Sequence, residues 1–346
     1  MITKKIEIVP CYDCNFRCDY CFIKSLDEAY SQKRMNDDVV EKSIRYVESE
    51  YNEYSKDGYQ LQLSFFGGEP LLASDIITKF VGALCDKPIK FNIVTNGSLI
   101  TKRENDILDW KERLDNKLSF MVSFDYSLQD INRCRGTHDK VIEGIQLLDE
   151  NSIKVLTNTV FNPNDLSQFH LVYNDYLKLQ RKLRHNFDFR FGTNLIGIEN
   201  VGFDEKSIIS SLSASKRFID KHNLKIHYKY TDRRINNCKE YHCGVGWRVL
   251  SGLDVDGSLY PCQGAINDKN KPLYKFASVY DDYEIIKSNR DEMVSKLRWK
   301  TSKCNECNYV CKHCPLDTVI TNYNEFGLEC SESHCNLHRI ISECLF

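Results

Sequence analysis

Three cysteines near the amino terminus constrain this chain more than any other feature of its sequence. Cys14, Cys18 and Cys21 are separated by three and then two residues. One tight loop can therefore turn three thiolates toward a common point about the size of an iron–sulfur cube. Such a ligand set leaves one iron free to bind a small molecule through its amino and carboxylate groups. The alternatives are a zinc knuckle or buried structural thiols, because free cysteine often behaves as a small core hydrophobe.

Composition narrows the class of protein. The 47 Lys and Arg residues nearly balance the 49 Asp and Glu residues, whereas a main partner that is a nucleic acid normally demands a basic surface. No apolar stretch is long enough to cross a bilayer, and the amino terminus does not resemble a cleaved signal. We therefore expect a soluble, cytoplasmic protein with neither a nucleic acid nor a membrane as partner. Sixteen cysteines in a cytosolic chain indicate metal binding more than disulfides.

Strand and helix patterns alternate along the first two thirds of the chain. A helix is predicted from about Asn36, a suitable N-cap, with Val40, Ile44, Val47 and Tyr51 on its buried face. Further apolar stripes are centred on Trp110, Ile145 and Leu212. The predicted strands are Lys5 to Pro10, Leu61 to Phe66, Phe91 to Val94, Leu118 to Phe124, Ile153 to Val160 and Phe187 to Phe191.

This alternation predicts the fold class. Strands that alternate with helices pair in parallel through right-handed crossovers. Six such units fit an incomplete barrel better than a closed eight-fold one. We expect an α/β chain with a partial (β/α)6 TIM-like barrel over residues 1–225. A small, cysteine-rich domain is expected over residues 226–346, where long helical stripes become scarce.

Short polar segments follow the predicted strands, and barrels of this kind carry their chemistry where strands end. Gly67-Gly68-Glu69-Pro70 follows the second strand. Its glycines let the backbone approach a ligand, and Glu69 or neighbouring carbonyls can accept hydrogen bonds from an ammonium group. Thr95 and Asn96 end the third strand. Ser123 and Asp125 end the fourth, where they can bind hydroxyls or a carboxylate end of the ligand.

The cysteine spacing, with Tyr20 directly before the last cysteine, resembles the signature of the radical SAM superfamily. The resemblance implies a [4Fe–4S] cluster on the three thiolates and S-adenosylmethionine on its open iron, with Tyr20 against the adenine. It also implies that the loop at Gly67 to Glu69 receives the methionine amino group and that Thr95 and Asn96 border the pocket. An arginine before a Gly-Thr-His-like turn would pair with the methionine carboxylate. Of Arg133 and Arg135, we predict Arg135.

The carboxyl-terminal cysteines resemble a SPASM domain, the extension of many peptide-modifying radical SAM enzymes. The resemblance implies two auxiliary [4Fe–4S] clusters, hence three in all. The first would be held by Cys243, Cys262 and Cys314, with Cys238 as a candidate fourth ligand. The second would be held by Cys304, Cys307, Cys311 and Cys335. The later spacings are shorter than usual in that family, which leaves the assignments of Cys311 and Cys314 open. Cys330 rivals Cys335, and zinc at Cys304 to Cys314 is an alternative.

The resemblance implies a radical SAM oxidoreductase that modifies a peptide. It would cleave S-adenosylmethionine reductively, abstract a hydrogen atom from a ribosomal peptide and form a thioether, ether or carbon–carbon cross-link. Sulfatase-maturing relatives usually have a basic aspartate after the cysteine that matches Cys262, where this chain has Gln263, a poor base. Formylglycine formation and peptide epimerisation are therefore the alternatives. An electron-transfer or zinc-binding protein is a distant one, because it would not need the loop at Gly67 to Glu69.

The expected partners follow from the same resemblance. They are a peptide substrate with a leader sequence and an electron donor such as flavodoxin or ferredoxin. The cysteine motif begins at residue 14, which leaves no room upstream for a fused leader-recognition domain. We therefore expect the leader to dock on the barrel, on the SPASM region or on a separate protein.

Overall fold

The computed structural model describes residues 2–21, 33–193, 202–222, 226–228, 245, 248–266, 271–296 and 332–345. The chain divides into two compact units. The first unit consists of residues 1–15, 22–121 and 243–299, and the second of residues 16–21, 122–242 and 300–346. The predicted boundary between two domains at residue 225 stays a prediction. In the described part of the chain, no helix is both long enough and apolar enough to cross a membrane.

Strands and helices alternate as the sequence predicts. The strands are β1 (Thr3–Cys11), β2 (Gln60–Gly67), β3 (Lys90–Thr95), β4 (Leu118–Ser123), β5 (Lys154–Phe161), β6 (Asp188–Thr193), β7 (His227–Tyr228), β8 (Val249–Leu253), β9 (Ser258–Tyr260) and β10 (Ala277–Ser278). The helices are α1 (Asp37–Ser55), α2 (Ser74–Leu84), α3 (Glu104–Leu114), α4 (Gln129–Asn132), α5 (His138–Glu150), α6 (Phe169–Gln180), α7 (Glu205–Lys221), α8 (Gln263–Ile266), α9 (Lys271–Tyr274), α10 (Tyr283–Lys296) and α11 (Glu332–Leu345).

In the first unit, the strand order is β10-β9-β8-β1-β2-β3-β4. β1 pairs in parallel with β2 on one side and with β8 on the other, and β2 pairs in parallel with β3. The strands β8, β9 and β10 continue the sheet as an antiparallel meander. In the second unit, β5, β6 and β7 pair in parallel in that order. The predicted α/β class with a mainly parallel sheet is confirmed.

The two faces of the first unit's sheet differ in character. Phe65 on β2 packs against Phe80 on α2, with ring centroids 5.3 Å apart. The face of the sheet that carries Phe65 is therefore the face that α2 covers. The residues on that face are fully buried and apolar, as Ile6 and Phe91 show. On the opposite face, in-register residues are polar, whereas a closed barrel fills its interior with branched apolar side chains. This opposite face carries a polar row, defined as Glu7, Ser64, Asn92 and Ser119.

The first helix begins where predicted. The Asn36 side chain accepts a hydrogen bond from the main-chain N–H of Val39 at 2.9 Å, so Asn36 is the N-cap of α1. Val40 and Val47 are buried as expected. The same contact satisfies one of the N–H groups that a helix amino terminus leaves unpaired.

The buried face of α1 is broader than the predicted stripe. Ile44 and Tyr51 are only half-buried, whereas Ser43, Tyr46 and Glu50 are buried. The reason is that the carboxyl-terminal part of the first unit supplies polar partners for that side of the helix. The Tyr46 hydroxyl lies 2.8 Å from the Ser251 hydroxyl on β8. The spacing of apolar residues along a helix cannot reveal the burial of polar residues whose partners are distant in the chain.

One buried ion pair joins α10 to α1. The Arg290 guanidinium donates to the Glu50 carboxylate at 2.5 Å, and both side chains are almost wholly excluded from solvent. Arg290 also donates to the Tyr54 hydroxyl at 3.2 Å. Burial raises the pKa of Glu50, while the Arg290 charge acts in the opposite direction. Each charge of this pair therefore depends on the other for its burial.

The second unit has an aromatic core. Phe169 on α6 contacts Phe161 on β5 and Phe191 on β6, with ring centroids 5.5 and 4.9 Å apart. Phe189 on β6 contacts Tyr173 on α6 at 5.5 Å. Edge-to-face and tilted arrangements of this kind favour aromatic pairs beyond their area of burial. They fix α6 against the strands β5 and β6.

We expect the substitution Arg290→Met to lower the free energy of unfolding by about 3–5 kcal/mol, because it leaves the Glu50 carboxylate buried without its partner. Urea unfolding followed by circular dichroism measures this. The control Lys296→Met breaks an exposed pair with Glu292 and should cost less than about 1 kcal/mol. Equal effects of the two substitutions would contradict a stabilising role for the buried pair.

Candidate cofactor-binding site

In the first unit, the loop after β2 lies directly against the cysteine loop. The Gly68 N–H donates to the Cys11 carbonyl at 3.0 Å, and the Glu69 N–H donates to the Asp13 carbonyl at 2.7 Å. Gly67 has a φ of +126°, and a Cβ there would stand 2.5 Å from the Cys11 oxygen. A Cβ on Gly68 would stand 2.2 Å from the Asp13 oxygen. The glycines are thus required by close approach to the protein's own backbone.

The Glu69 carboxylate connects the loops after β2 and β3. It is fully buried and accepts hydrogen bonds from the Leu71 N–H at 3.1 Å, the Thr95 hydroxyl at 2.7 Å and the Asn96 N–H at 2.7 Å. Burial raises the pKa of Glu69 to about 7, although these hydrogen bonds act in the opposite direction. The Glu69 carbonyl accepts from the Cys11 thiol at 3.5 Å. The side chain therefore positions the loops, a role that the sequence did not predict.

A second set of contacts joins the turn after β3 to the cysteine loop. The Asn96 amide donates to the Asn15 side-chain oxygen at 2.8 Å, and the Asn15 amide donates to the Ser98 hydroxyl at 2.9 Å. The Asn96 oxygen in turn accepts from the Ser98 N–H at 3.0 Å. Sequence analysis missed Asn15 and Ser98. Asn15 directly follows Cys14, and its position inside the motif was the only available signal.

The cysteine loop is also anchored to the turn between β8 and β9. The Tyr12 hydroxyl donates to the Asp254 carboxylate, and both residues are buried. Asp254 also accepts from the Val255 N–H at 2.8 Å. Because these residues lie far apart in the chain, no local pattern indicates their contact.

In the second unit, Asp125 is the centre of a buried network. Its carboxylate accepts hydrogen bonds from Arg133 Nη2 at 3.0 Å, from the Val160 N–H at 3.0 Å and from the Tyr20 hydroxyl. Its second contact with Arg133 is an ion-pair contact, with Nε 2.9 Å from the carboxylate. The Arg133 guanidinium also lies 5.3 Å from the centroid of the Tyr20 ring. Burial raises the pKa of Tyr20 well above its usual value, so the phenol remains a donor. This network fixes the orientation of the Tyr20 ring.

The two arginines before the Gly-Thr-His turn occupy different environments. Arg133, at the end of α4, is buried against Asp125, whereas Arg135 is exposed. Ser123 is half-buried at the end of β4. The predicted contacts of Ser123, Asp125 and Arg135 with a ligand remain predictions, but the observed charge pair is formed by Arg133.

The motif cysteines are half-buried. Cys14 belongs to the first unit, and Cys18 and Cys21 to the second. The Cys21 N–H donates to the Cys18 carbonyl at 3.1 Å, which makes a tight turn between these two thiols. Burial raises the pKa of the Cys18 thiol, and the charge of Arg133 opposes that rise. Partly exposed thiols on a turn suit an iron–sulfur cluster. In the described ranges, no three His, Cys, Asp or Glu side chains are arranged to hold a metal ion.

Cys262 is the one predicted auxiliary ligand whose side chain is described. It is buried and lies just after β9. Gly252 on β8 leaves space for it, since a Cβ there would stand 2.7 Å from the Cys262 carbonyl carbon. Cys335 lies in α11, of which only the backbone is described at that residue. The rival Cys330 lies outside the described residues. So do the other predicted ligands, which are Cys238, Cys243, Cys304, Cys307, Cys311 and Cys314.

The fold and these loops define a class of protein, an α/β chain with glycine-rich and polar loops where its parallel strands end. Residues 8–172 match the family model of the radical SAM superfamily. Residues 8–172 therefore form a radical SAM domain. A domain of this family implies a [4Fe–4S] cluster and S-adenosylmethionine. The two further clusters and the peptide reaction stay predictions.

Two relatives and one solved structure show how far the similarity extends. The chain is 27% identical over 180 residues to the radical SAM cyclopropyl synthase TigE of Paramaledivibacter caminithermalis, covering 48% of this chain and 37% of that protein. It is 25% identical over 341 residues to a cysteine-type anaerobic sulfatase-maturating enzyme of Clostridium perfringens, covering 86% and 85%. The structure of native anSMEcpe with bound AdoMet and Cp18Cys peptide shares the fold, with a TM-score of 0.73 at 19% identity over 99% of this chain and 96% of that chain.

We expect Gly68→Ala to abolish the production of 5′-deoxyadenosine by the reconstituted, reduced protein, because a methyl group at this position displaces the cysteine loop. Chromatography of the quenched reaction and iron content per chain measure the effect. The matched control is Gly82→Ala on α2, where a Cβ meets nothing within 4 Å. It should retain activity and gain about 0.5–1 kcal/mol of stability. Normal iron content and activity in Gly68→Ala would contradict the steric argument.

The raised pKa of Glu69 predicts a pH dependence of stability. Burial raises its pKa from the ordinary value of 4.5 to about 7 in the folded chain, so the folded state binds the proton more tightly than the unfolded state does. The contribution of Glu69 to the free energy of unfolding therefore falls as the pH rises from about 5 to about 7. Outside that window the contribution does not change with pH. Glu69→Gln should remove roughly 3 kcal/mol of this variation, measured by urea unfolding at several pH values. Identical pH dependence in both proteins would contradict a carboxyl group that titrates near neutrality.

Proposed function

We propose that this chain modifies a ribosomally made peptide by forming an oxidative thioether, ether or carbon–carbon cross-link. The observation that carries the proposal is the placement of Cys262. This candidate ligand of an auxiliary cluster lies over Gly252 on β8, and β8 pairs with β1, the first strand of the radical SAM domain. An electron acceptor at Cys262 would therefore be built onto the same sheet as that domain.

The proposed cofactor site uses the residues described above. When bound, S-adenosylmethionine and its [4Fe–4S] cluster supply a carbon-centred radical able to remove a hydrogen atom from an unactivated carbon. Cys14, Cys18 and Cys21 would hold the cluster, while Asp125 and Arg133 orient the Tyr20 ring beside the adenine. Further cofactor contacts are proposed for Gly67, Gly68, Glu69, Pro70, Thr95, Asn96, Ser123 and Arg135.

The carboxyl-terminal cysteines are proposed to form a SPASM domain with two auxiliary [4Fe–4S] clusters. These clusters would accept the electron that remains when a substrate radical forms a new bond. The buried environment of Cys262 supports this role, because exclusion of water protects a cluster and tunes its potential. Three clusters in all would then give net oxidation of the peptide.

The proposed partners are a peptide with a leader sequence and an electron donor such as flavodoxin or ferredoxin. A peptide substrate is supported by the peptide bound in the anSMEcpe structure. The leader would dock on this chain or on a separate recognition protein. We propose that the protein acts in the cytoplasm.

Formylglycine formation is the second candidate. The match to the sulfatase-maturating enzyme, which covers 86% of this chain, favours it. Gln263 disfavours it, because an amide cannot accept a proton near neutral pH as the usual aspartate does.

The test is anaerobic incubation of the reconstituted protein with S-adenosylmethionine, a reductant and the small peptide encoded beside its gene. Cross-linking lowers the peptide mass by about two daltons per event. Conversion of the cysteine in the Cp18Cys peptide to formylglycine lowers it by about 18 daltons. Cys18→Ser should abolish both product and 5′-deoxyadenosine, whereas Cys262→Ser should abolish only the product. An unchanged mass with deuterium uptake from heavy water would indicate epimerisation instead.

A further inference from the structure

A carboxylate lies beside the position where this chain lacks the expected base. Glu7 on β1 accepts a hydrogen bond from the Gln263 N–H at 2.9 Å. Gln263 directly follows Cys262. Across the sheet, Glu7 pairs with Gly252, the residue against which the Cys262 carbonyl carbon lies. Strand β1 thus places an acidic group on the face of the sheet that Cys262 covers.

Glu7 also belongs to the polar row on that face. It pairs with Ser64, which pairs with Asn92. The Ser119 hydroxyl donates to the Asn92 oxygen at 3.2 Å and extends the row to β4. Among these four residues, Glu7 is the acid. The others are neutral side chains that donate and accept hydrogen bonds, as a peptide backbone requires.

The position of Glu7 is unusual for its residue type. Glutamate is depleted in strands, and a half-buried carboxylate needs partners that favour its charged form. The hydrogen bond from the Gln263 main chain provides one such partner, because a bond donated to a carboxylate stabilises its ionised form. An ionised carboxylate can accept a proton, which the amide of Gln263 cannot do.

We propose that Glu7 accepts the proton released when the peptide is oxidised, in place of a base at position 263. This inference rests on the proposed function. A hydrogen atom first leaves a substrate C–H bond for the radical derived from S-adenosylmethionine. The carbon radical then bonds to the sulfur or oxygen of a second side chain. That side chain's S–H or O–H proton passes to Glu7, and one electron passes to an iron–sulfur cluster at Cys262.

The same role fits either candidate reaction. In formylglycine formation, the carbon radical of a cysteine becomes a thioaldehyde when its S–H bond breaks. One proton and one electron again leave, the proton for Glu7 and the electron for the iron–sulfur cluster. The inference therefore concerns how the proton leaves and does not choose between the products.

The test compares Glu7→Gln with the native enzyme on whichever of the two peptides the native enzyme converts. A glutamine at position 7 still accepts the Gln263 N–H, so the melting temperature and the affinity for the fluorescein-labelled peptide should not change. Conversion should fall by about 100-fold or more, the usual contribution of a positioned proton acceptor. Production of 5′-deoxyadenosine should stay within about twofold, because the radical step precedes the proton transfer.

Two further variants separate proton transfer from structure. Glu7→Gln combined with Gln263→Asp returns a carboxylate to this place and should restore conversion at least about tenfold over Glu7→Gln alone. Glu53→Gln makes the same chemical change on α1, where the carboxylate pairs with Lys287, and this variant should convert peptide at the native rate. Native conversion by Glu7→Gln would overturn the inference. So would a lowered melting temperature or an equal loss of 5′-deoxyadenosine, since either makes Glu7 a structural residue. A native enzyme that converts neither peptide refutes the proposed function and this inference with it.

Discussion

The first unit depends on one close approach, the contact of the loop after β2 with the backbone of the cysteine loop. Two main-chain hydrogen bonds and two positions without room for a Cβ hold these segments together. Side chains then reinforce the contact, with Glu69 joining the loops after β2 and β3 and Asn15 joining the cysteine loop to the latter. Pre-organisation of this kind lets a cofactor bind without first ordering its own site.

The carboxyl-terminal part of the first unit continues this architecture. β8 pairs with β1, Asp254 accepts from Tyr12, and Arg290 pairs with Glu50. Each contact is buried, and each joins segments that are distant in the chain. The segment that carries Cys262 is consequently packed into the same core as the first strand, which keeps the proposed electron acceptor and the face of Glu7 in fixed positions.

Sequence patterns predicted the alternation of strands and helices because that signal is local and periodic. They also predicted the N-cap at Asn36, which depends on contacts within one turn. They could not predict the burial of Glu50 or the joining role of Glu69, because both depend on partners brought together by folding. The pairing of Arg133 with Asp125 shows the same limit, since it depends on how the end of α4 packs against β4 and β5.

The pairing of β1 with β8 has a consequence for how the protein is made. Strand β1 is synthesised first, yet one of its edges is covered only when residues 249–253 have left the ribosome. Until then, that edge exposes unpaired N–H and C=O groups, which can recruit strands from other chains. A chain cut at residue 225 would keep this edge open permanently. The first strand of the radical SAM domain therefore completes its hydrogen bonding with a strand from the carboxyl-terminal part of the chain.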